Sequence, residues 1–182
     1  MYTRAREESG FGLLELLMAM VMLNVGILAI VAAFSSGNAA LARASQVSTA
    51  AALADKQLES YRGLIYDNIL FTTSEWNAAI ADSTYTADTA YTSNMLNPVS
   101  PKALVGTVST CPTSVPSTSC DPSYTTTGPD HRSYRVDTYL YFDQPGGGSQ
   151  LKSMTVVVRP AANLSRSFAR VSSTFDSSTN PT

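Results

Sequence analysis

Charge is scarce in this chain. Charged residues make up 14 % of its 182 residues, and none lies between Glu15 and Arg43. Beyond residue 66 the only lysines are Lys102 and Lys152, and the formal net charge is -2. A strong phosphate-binding footprint is therefore not expected, nor a general attraction to nucleic acid or anionic lipid. Histidine occurs once, as His131, and cysteine twice, as Cys111 and Cys120. Only Pro, Ser, Thr and Val separate the two cysteines, and no further thiol or nearby imidazole completes a metal-ligand set. Patterns that mark a nucleophile elbow, a P-loop, an EF-hand loop or an HExxH zinc site are absent. Serines are plentiful, so counting alone leaves a Ser–His–Asp arrangement open. His131 nevertheless follows Gly128-Pro129-Asp130 and reads as an exposed loop residue. Neither an enzyme nor a cofactor is expected.

A long apolar run is present in contrast. From Phe11 the sequence reads FGLLELLMAMVMLNVGILAIVAAF, more than the ~20 residues needed to cross a bilayer. Within it Glu15 is the only charge, and a carboxylate there costs a few kcal/mol to insert unless something neutralises it. The polar leader MYTRAREESG ends in Gly10 just before the run. Cleavage after Gly10 would place a cationic amine on Phe11, a ready partner for Glu15. An ordinary signal anchor would also account for the run. A removed secretory signal would need a small-residue cleavage site after it. Ala32-Ala33-Phe34-Ser35 serves that poorly, and Phe34-Ser35-Ser36-Gly37 somewhat better.

Gly10-Phe11-Gly12-Leu13-Leu14-Glu15, followed directly by the apolar helix, resembles the class III signal of type IV prepilins and pseudopilins. The resemblance implies that a membrane-embedded prepilin peptidase cuts after Gly10 and methylates Phe11. It also implies that Glu15 is the carboxylate that meets a terminal amine during filament assembly. LLELLMAMVMLNVGILA, with Asn24-Val25-Gly26, is closer to PilV-type minor pilins and the type II secretion pseudopilin I group. Major pilins usually carry a proline partway along this helix, where Ala32 stands here. Arg4 and Arg6 favour keeping the short end in the cytoplasm, although Glu7 and Glu8 balance their charge. The bulk of the chain is then outside the cytoplasmic membrane, and on a surface pilus after assembly.

The helix is expected to continue. SSGNAALARASQVSTAAALADKQLESYRGLIYD is rich in alanine and free of proline. Leu41, Ala44, Val47, Ala51, Ala54, Leu58, Tyr61 and Ile65 recur at steps of three or four and predict one buried stripe. Gly37 is a weak point, costing ~1 kcal/mol against Ala in a helix interior. A helix from Phe11 to about Tyr66 would be roughly 84 Å long. The pattern and the resemblance together predict an α+β protein, a long N-terminal helix packed on a small antiparallel sheet. They divide the chain into a leader (1–10), a transmembrane or filament-core helix (11–36) and its amphipathic continuation (37–66). An irregular Ser/Thr/Pro-rich insertion (67–133) comes next, and then the sheet with a C-terminal tail (134–182).

In the insertion Ser83 to Thr92 shows no clear period, and six prolines interrupt the stretch from Pro98 to Pro129. A short helix fits near Glu75–Ala81. A segment of this length without regular structure reads as partly ordered. With this region outside the cytoplasm, Cys111 and Cys120 are expected to form a disulfide. Tyr134 to Phe142 alternates, placing Tyr134, Val136, Leu140 and Phe142 on one face. The Gly-rich segment 143–150 makes a turn, and Leu151 to Arg159 returns as a β-branched strand, giving a hairpin. Leu164, Phe168, Val171 and Phe175 fit either a third strand or a helix turn.

Expected partners are the prepilin peptidase, other pilins or pseudopilins, an inner-membrane assembly platform and, before assembly, membrane lipid. Two further readings stand beside the minor pilin. One is a type II secretion pseudopilin. The other is a membrane-anchored binding protein whose Tyr85, Tyr91, Tyr124, Tyr139 and Tyr141 recognise a surface. Against it, Tyr139 and Tyr141 are better explained as cover for the outer face of the sheet.

Overall fold

The structure is a computed structural model that describes residues 12–143 and 151–177. The chain divides into two units, 1–44 and 45–182. Helix α1, Leu13–Arg62, is a single element of 50 residues that contributes to both. Gly37 does not interrupt it, since one glycine costs too little to break so long a helix. It ends at Arg62, which pairs with Glu59 one turn back at 2.5 Å. Gly63 comes next, and Leu64 turns into the core.

In the first unit every described residue of α1 is exposed, including Leu13, Leu14, Leu28 and Phe34. This part of the helix is long and apolar enough to cross a membrane. An apolar surface all round a helix needs lipid or other helices on every side.

The second unit is α+β. After a 3-10 turn at Tyr66–Asn68 come strand β1 (Phe71–Thr72) and helix α2 (Thr73–Ala81). Single-turn helices α3 (Ser83–Thr86) and α4 (Thr89–Thr92) are next, then β2 (Thr107–Val108) and α5 (Ser117–Cys120). Four strands complete the chain: β3 (Ser123–Thr127), β4 (Ser133–Asp143), β5 (Leu151–Pro160) and β6 (Ala169–Phe175). They form one antiparallel sheet in the order β3-β4-β5-β6, while β1 and β2 make a separate parallel pair.

Because side chains alternate across a strand, the sheet has two chemically different faces. Tyr134, Val136, Leu140, Met154, Val156, Val158 and Phe175 pack with Ala50, Ala54, Leu58 and Tyr61 of α1. On the opposite face Tyr139 and Val157 pack with Ala79, Tyr85 and Ala90 of α2, α3 and α4. The Tyr85 and Tyr139 rings stack with centroids 4.3 Å apart. Each hydroxyl finds a carbonyl, of Thr138 at 2.7 Å and of Tyr85 at 3.1 Å respectively. The two central strands are thus buried on both sides.

Several expectations need correction. The buried stripe of α1 is Thr49, Ala50, Ala54, Gln57, Leu58 and Tyr61; Leu41, Val47 and Ile65 remain 71 %, 41 % and 44 % exposed. The buried part of α1 begins at Thr49, which lies against Gly128, so Leu41 and Val47 precede it, and Ile65 lies past the end of the helix at Arg62. The segment 67–133 is not an irregular insertion. It supplies the back layer and also β3, so the sheet begins at Ser123 and not at residue 134. The short helix expected near Glu75–Ala81 is α2, and the undecided stretch before Phe175 is strand β6. The expected turn lies largely outside the described residues, but β4 and β5 pair antiparallel as a hairpin requires.

Polar groups join α1 to the sheet. Gln57, buried in mid-helix, donates to the Thr118 carbonyl at 2.9 Å and accepts from the Tyr124 hydroxyl at 2.9 Å. The Tyr61 hydroxyl donates to the Ser119 carbonyl at 2.6 Å. Burial pushes the Tyr61 phenol well above its ordinary range and that of Tyr124 up to about 12, so both stay donors. Gly128 marks the tightest approach: an added Cβ would lie 2.6 Å from Thr49 Cγ2 and 2.8 Å from Asp130 Oδ1. Gly128→Ala should therefore destabilise the protein by about 1–3 kcal/mol, and adding Thr49→Ser should recover part of it. Denaturant unfolding of the three proteins checks this; an unchanged midpoint in the single variant contradicts the packing account.

Candidate functional site

The residues singled out from the sequence fall in two groups, Gly10, Phe11 and Glu15 near the start and Cys111 and Cys120 about a hundred positions on. Gly10 and Phe11 fall outside the described residues. Glu15 lies in the first turn of α1, where a negative charge complements the helix dipole, and its backbone N–H donates to Gly12 O at 2.9 Å. Its side chain is exposed, as are the apolar neighbours Leu14, Leu16 and Met18. Glu15 therefore stands as a lone carboxylate in a 28-residue window, 15–42, that holds no other charge.

Cys111 and Cys120 are joined, with Cα atoms 5.9 Å apart. The bond closes the loop that leads into α5, whose Thr118 and Ser119 carbonyls accept from Gln57 and Tyr61. It thus secures an anchor point of α1 and not a free loop. Replacing both cysteines by serine should cost about 2–3 kcal/mol, the chain-entropy value for so short a loop. Thermal unfolding with and without reductant measures it: reductant should lower the parent and leave the double variant unchanged.

The most developed polar arrangement was not anticipated from sequence. On the back face of the sheet Asp137, with no exposed surface, accepts from Ser123 Oγ at 2.6 Å, from Arg135 Nε at 2.7 Å and from Arg159 Nη1. Arg135 reaches Asp82 at 2.5 Å, and Arg159 reaches Asp88. Asp88 also accepts from Arg170 Nη2, at 2.9 and 2.8 Å to its two oxygens. Arg135 and Arg159 are directly opposite in the β4–β5 register, a like-charge pairing that would repel without Asp137 touching both. Three arginines and three aspartates thus alternate through the cluster with no net formal charge.

Asp82 and Asp88 have second tasks. Each caps a single-turn helix, accepting from the N–H of Thr84 and of Ala90, both at 2.7 Å. For Asp82 burial would raise the carboxyl pKa, but the Thr84 N–H and the Arg135 guanidinium outweigh it and hold it below the usual range. A signal was present in DSTYTADTAYT, where an aspartate recurs six residues apart just ahead of each Thr-rich turn. Arg135 and Asp137, two apart on a strand, likewise share a face by alternation.

Lys152 is a third buried cation, apart from the cluster. Its Nζ donates to the Tyr66 and Ile69 carbonyls at 2.6 and 3.1 Å and lies 4.2 Å from the Tyr66 ring centroid. Burial lowers its pKa.

The tyrosines do not form an adhesive surface. Tyr85 and Tyr139 have no exposed area, Tyr141 is 8 % exposed, and Tyr91 and Tyr124 are half-buried. Tyr139 and Tyr141 are on the back face, but that face is covered, not outermost. His131 is exposed with φ 58°, a left-handed conformation in the turn after Gly128. Among the described residues no group of three or more His, Cys, Asp or Glu side chains converges to hold a metal ion. Compared with known protein families, with curated proteins and with solved structures, the chain matches none.

The charge cluster carries a quantitative expectation. Asp137→Asn removes the charge shared by two buried guanidinium groups and should cost about 3–5 kcal/mol. Glu59→Gln, which breaks the exposed pair with Arg62, should cost about 0–1 kcal/mol. Urea midpoints compare the two; equal effects would show that the cluster is not structural.

Proposed function

We propose that this chain is a minor type IV pilin, a membrane-inserted subunit that assembles into a filament through its N-terminal helix. One observation carries the reading: a wholly exposed apolar helical segment, with Glu15 as its sole carboxylate, continues without a break into the helix of an α+β unit. The Gly10-Phe11 junction just before it supplies the processing step and Glu15 the assembly step.

In this reading the prepilin peptidase cuts after Gly10 and methylates the Phe11 amine. The segment then stays in the cytoplasmic membrane with unit 45–182 outside. Transfer into the filament replaces lipid around Leu13 to Phe34 with the apolar faces of neighbouring pilin helices, and an assembly platform drives that exchange. Small residues at Gly26 and Ala29 allow close helix approach. Glu15 meets the Phe11 amine of its own or an adjacent subunit. In a low-dielectric surround the pair matters mainly because either charge left alone is costly. The function is assembly, not catalysis.

Intact-mass and N-terminal sequencing of protein from its native host tests the processing step. The expected product starts at Phe11 with one added methyl group; a retained Met1, or a start beyond Phe34, overturns the reading. Glu15→Leu should insert into membranes normally but fall at least about tenfold in sheared filaments, equivalent to ~1.4 kcal/mol. Incorporation at the parental level contradicts the role given to Glu15. Recovery of the parent only from periplasmic fractions would point instead to a secretion pseudopilin.

A further inference from the structure

The charge cluster ends at an open groove, and its chemistry is one-sided. About 540 Å³ in volume, the groove is lined by Ser83, Thr84, Ala87, Asp88, Thr89, Arg159, Leu164, Ser165 and Arg170. All of these belong to unit 45–182. Its size is within the range of small-molecule sites.

Among the charged residues of the groove the donors are in part unused, whereas the carboxylate is fully engaged. Both Asp88 oxygens are taken, by Arg159, by Arg170 and by the Ala90 N–H. The second carboxylate behind Arg159, that of Asp137, is wholly buried. Arg170 ends the cluster on the groove side, with its side chain 37 % exposed, as is that of Asp82 at the other end. It gives only Nη2 to Asp88, so among the described residues its Nε and Nη1 have no protein partner. Arg170 lines the groove, held in place by a buried carboxylate and with part of its donor set unused. A guanidinium pre-oriented in this way suits a carboxylate better than a lysine would.

The remaining walls narrow the ligand further. Ser83, Thr84 and Thr89 contribute hydroxyls, Ser165 donates its own to Asn163 Oδ1 at 2.6 Å, and Ala87 and Leu164 contribute small apolar patches. Hydroxyls that both donate and accept match a polyol, and the apolar patches match the C–H face of a sugar ring. The cluster sums to no net charge, so recognition rests on directed hydrogen bonds and not on long-range attraction. We propose that this groove binds a carboxylate-bearing sugar, the chemistry of a uronic acid, with the carboxylate on Arg170 and the ring hydroxyls on Ser83, Thr84 and Thr89. The proposal does not depend on filament assembly.

The test is a titration of the full chain in detergent micelles, following the arginine Nε–H resonances by NMR. Glucuronate should shift the Arg170 signal saturably with a Kd of about 1 mM, whereas glucose should not. A glucuronate-containing oligosaccharide, added in parallel, separates the free sugar from a polymer end: tighter binding assigns the polymer, equal binding the monosaccharide. Arg170→Gln should weaken binding at least about tenfold. Because that change also touches the cluster, Ser83→Trp provides a second variant; it puts an indole at an exposed lining position and should abolish binding without altering thermal unfolding. Three results would each overturn the proposal: no saturable shift with glucuronate, inorganic phosphate binding as tightly as glucuronate, or unchanged binding in Ser83→Trp.

Discussion

Asp137 is the point on which the α+β unit closes. A carboxylate with no exposed surface is tolerable only when its charge and lone pairs are met, and here Ser123, Arg135 and Arg159 meet them. Those three residues come from β3, β4 and β5. Through Arg135 and Arg159 the same carboxylate is coupled to Asp82 and Asp88, which start the two single-turn helices of the back layer. Isolated turns of four residues have no stability of their own. Their placement results from being capped and ion-paired at once, and from the Tyr85 ring stacked on Tyr139.

The opposite face of the sheet meets a different demand. Ala50 and Ala54 let α1 come close to the sheet, and Gly128 takes that approach to its limit at Thr49. The polar residues on this face, Gln57 and Tyr61, use their hydrogen bonds on the carbonyls of α5. The disulfide keeps those carbonyls in place. Helix, staple and sheet are therefore one packing problem, whereas the exposed apolar segment of α1 is governed by its surroundings alone.

Much of this was legible in residue order. The continuous helix, the β4–β5 alternation, the cysteine pair and the lone carboxylate at Glu15 are local patterns, set by neighbours within a few positions. The reading failed where a pattern had two physical solutions. Leu41, Val47 and Ile65 share the predicted period, yet Leu41 and Val47 precede the buried part of α1, which begins at Thr49, and Ile65 lies beyond the helix end at Arg62. Ser83 to Thr92 looked structureless because each turn is only four residues long, below the length at which periodicity speaks. The joining of Arg135, Asp137 and Arg159 was not legible, because alternation says which face a side chain takes, not whether that face is covered.

By itself, then, the sequence determined that the chain has an apolar helical span able to enter a membrane, one acid near its start, and an α+β unit after it. These come from composition and period, which act over short distances along the chain. Tertiary structure alone decided that the supposed insertion is a structural layer, that three arginines and three aspartates alternate behind the sheet, and that a donor-lined groove opens at Arg170. Asp137 and Arg159 are 22 residues apart, Asp88 and Arg170 82, and only the strand register and the folded-back segment bring their charges together.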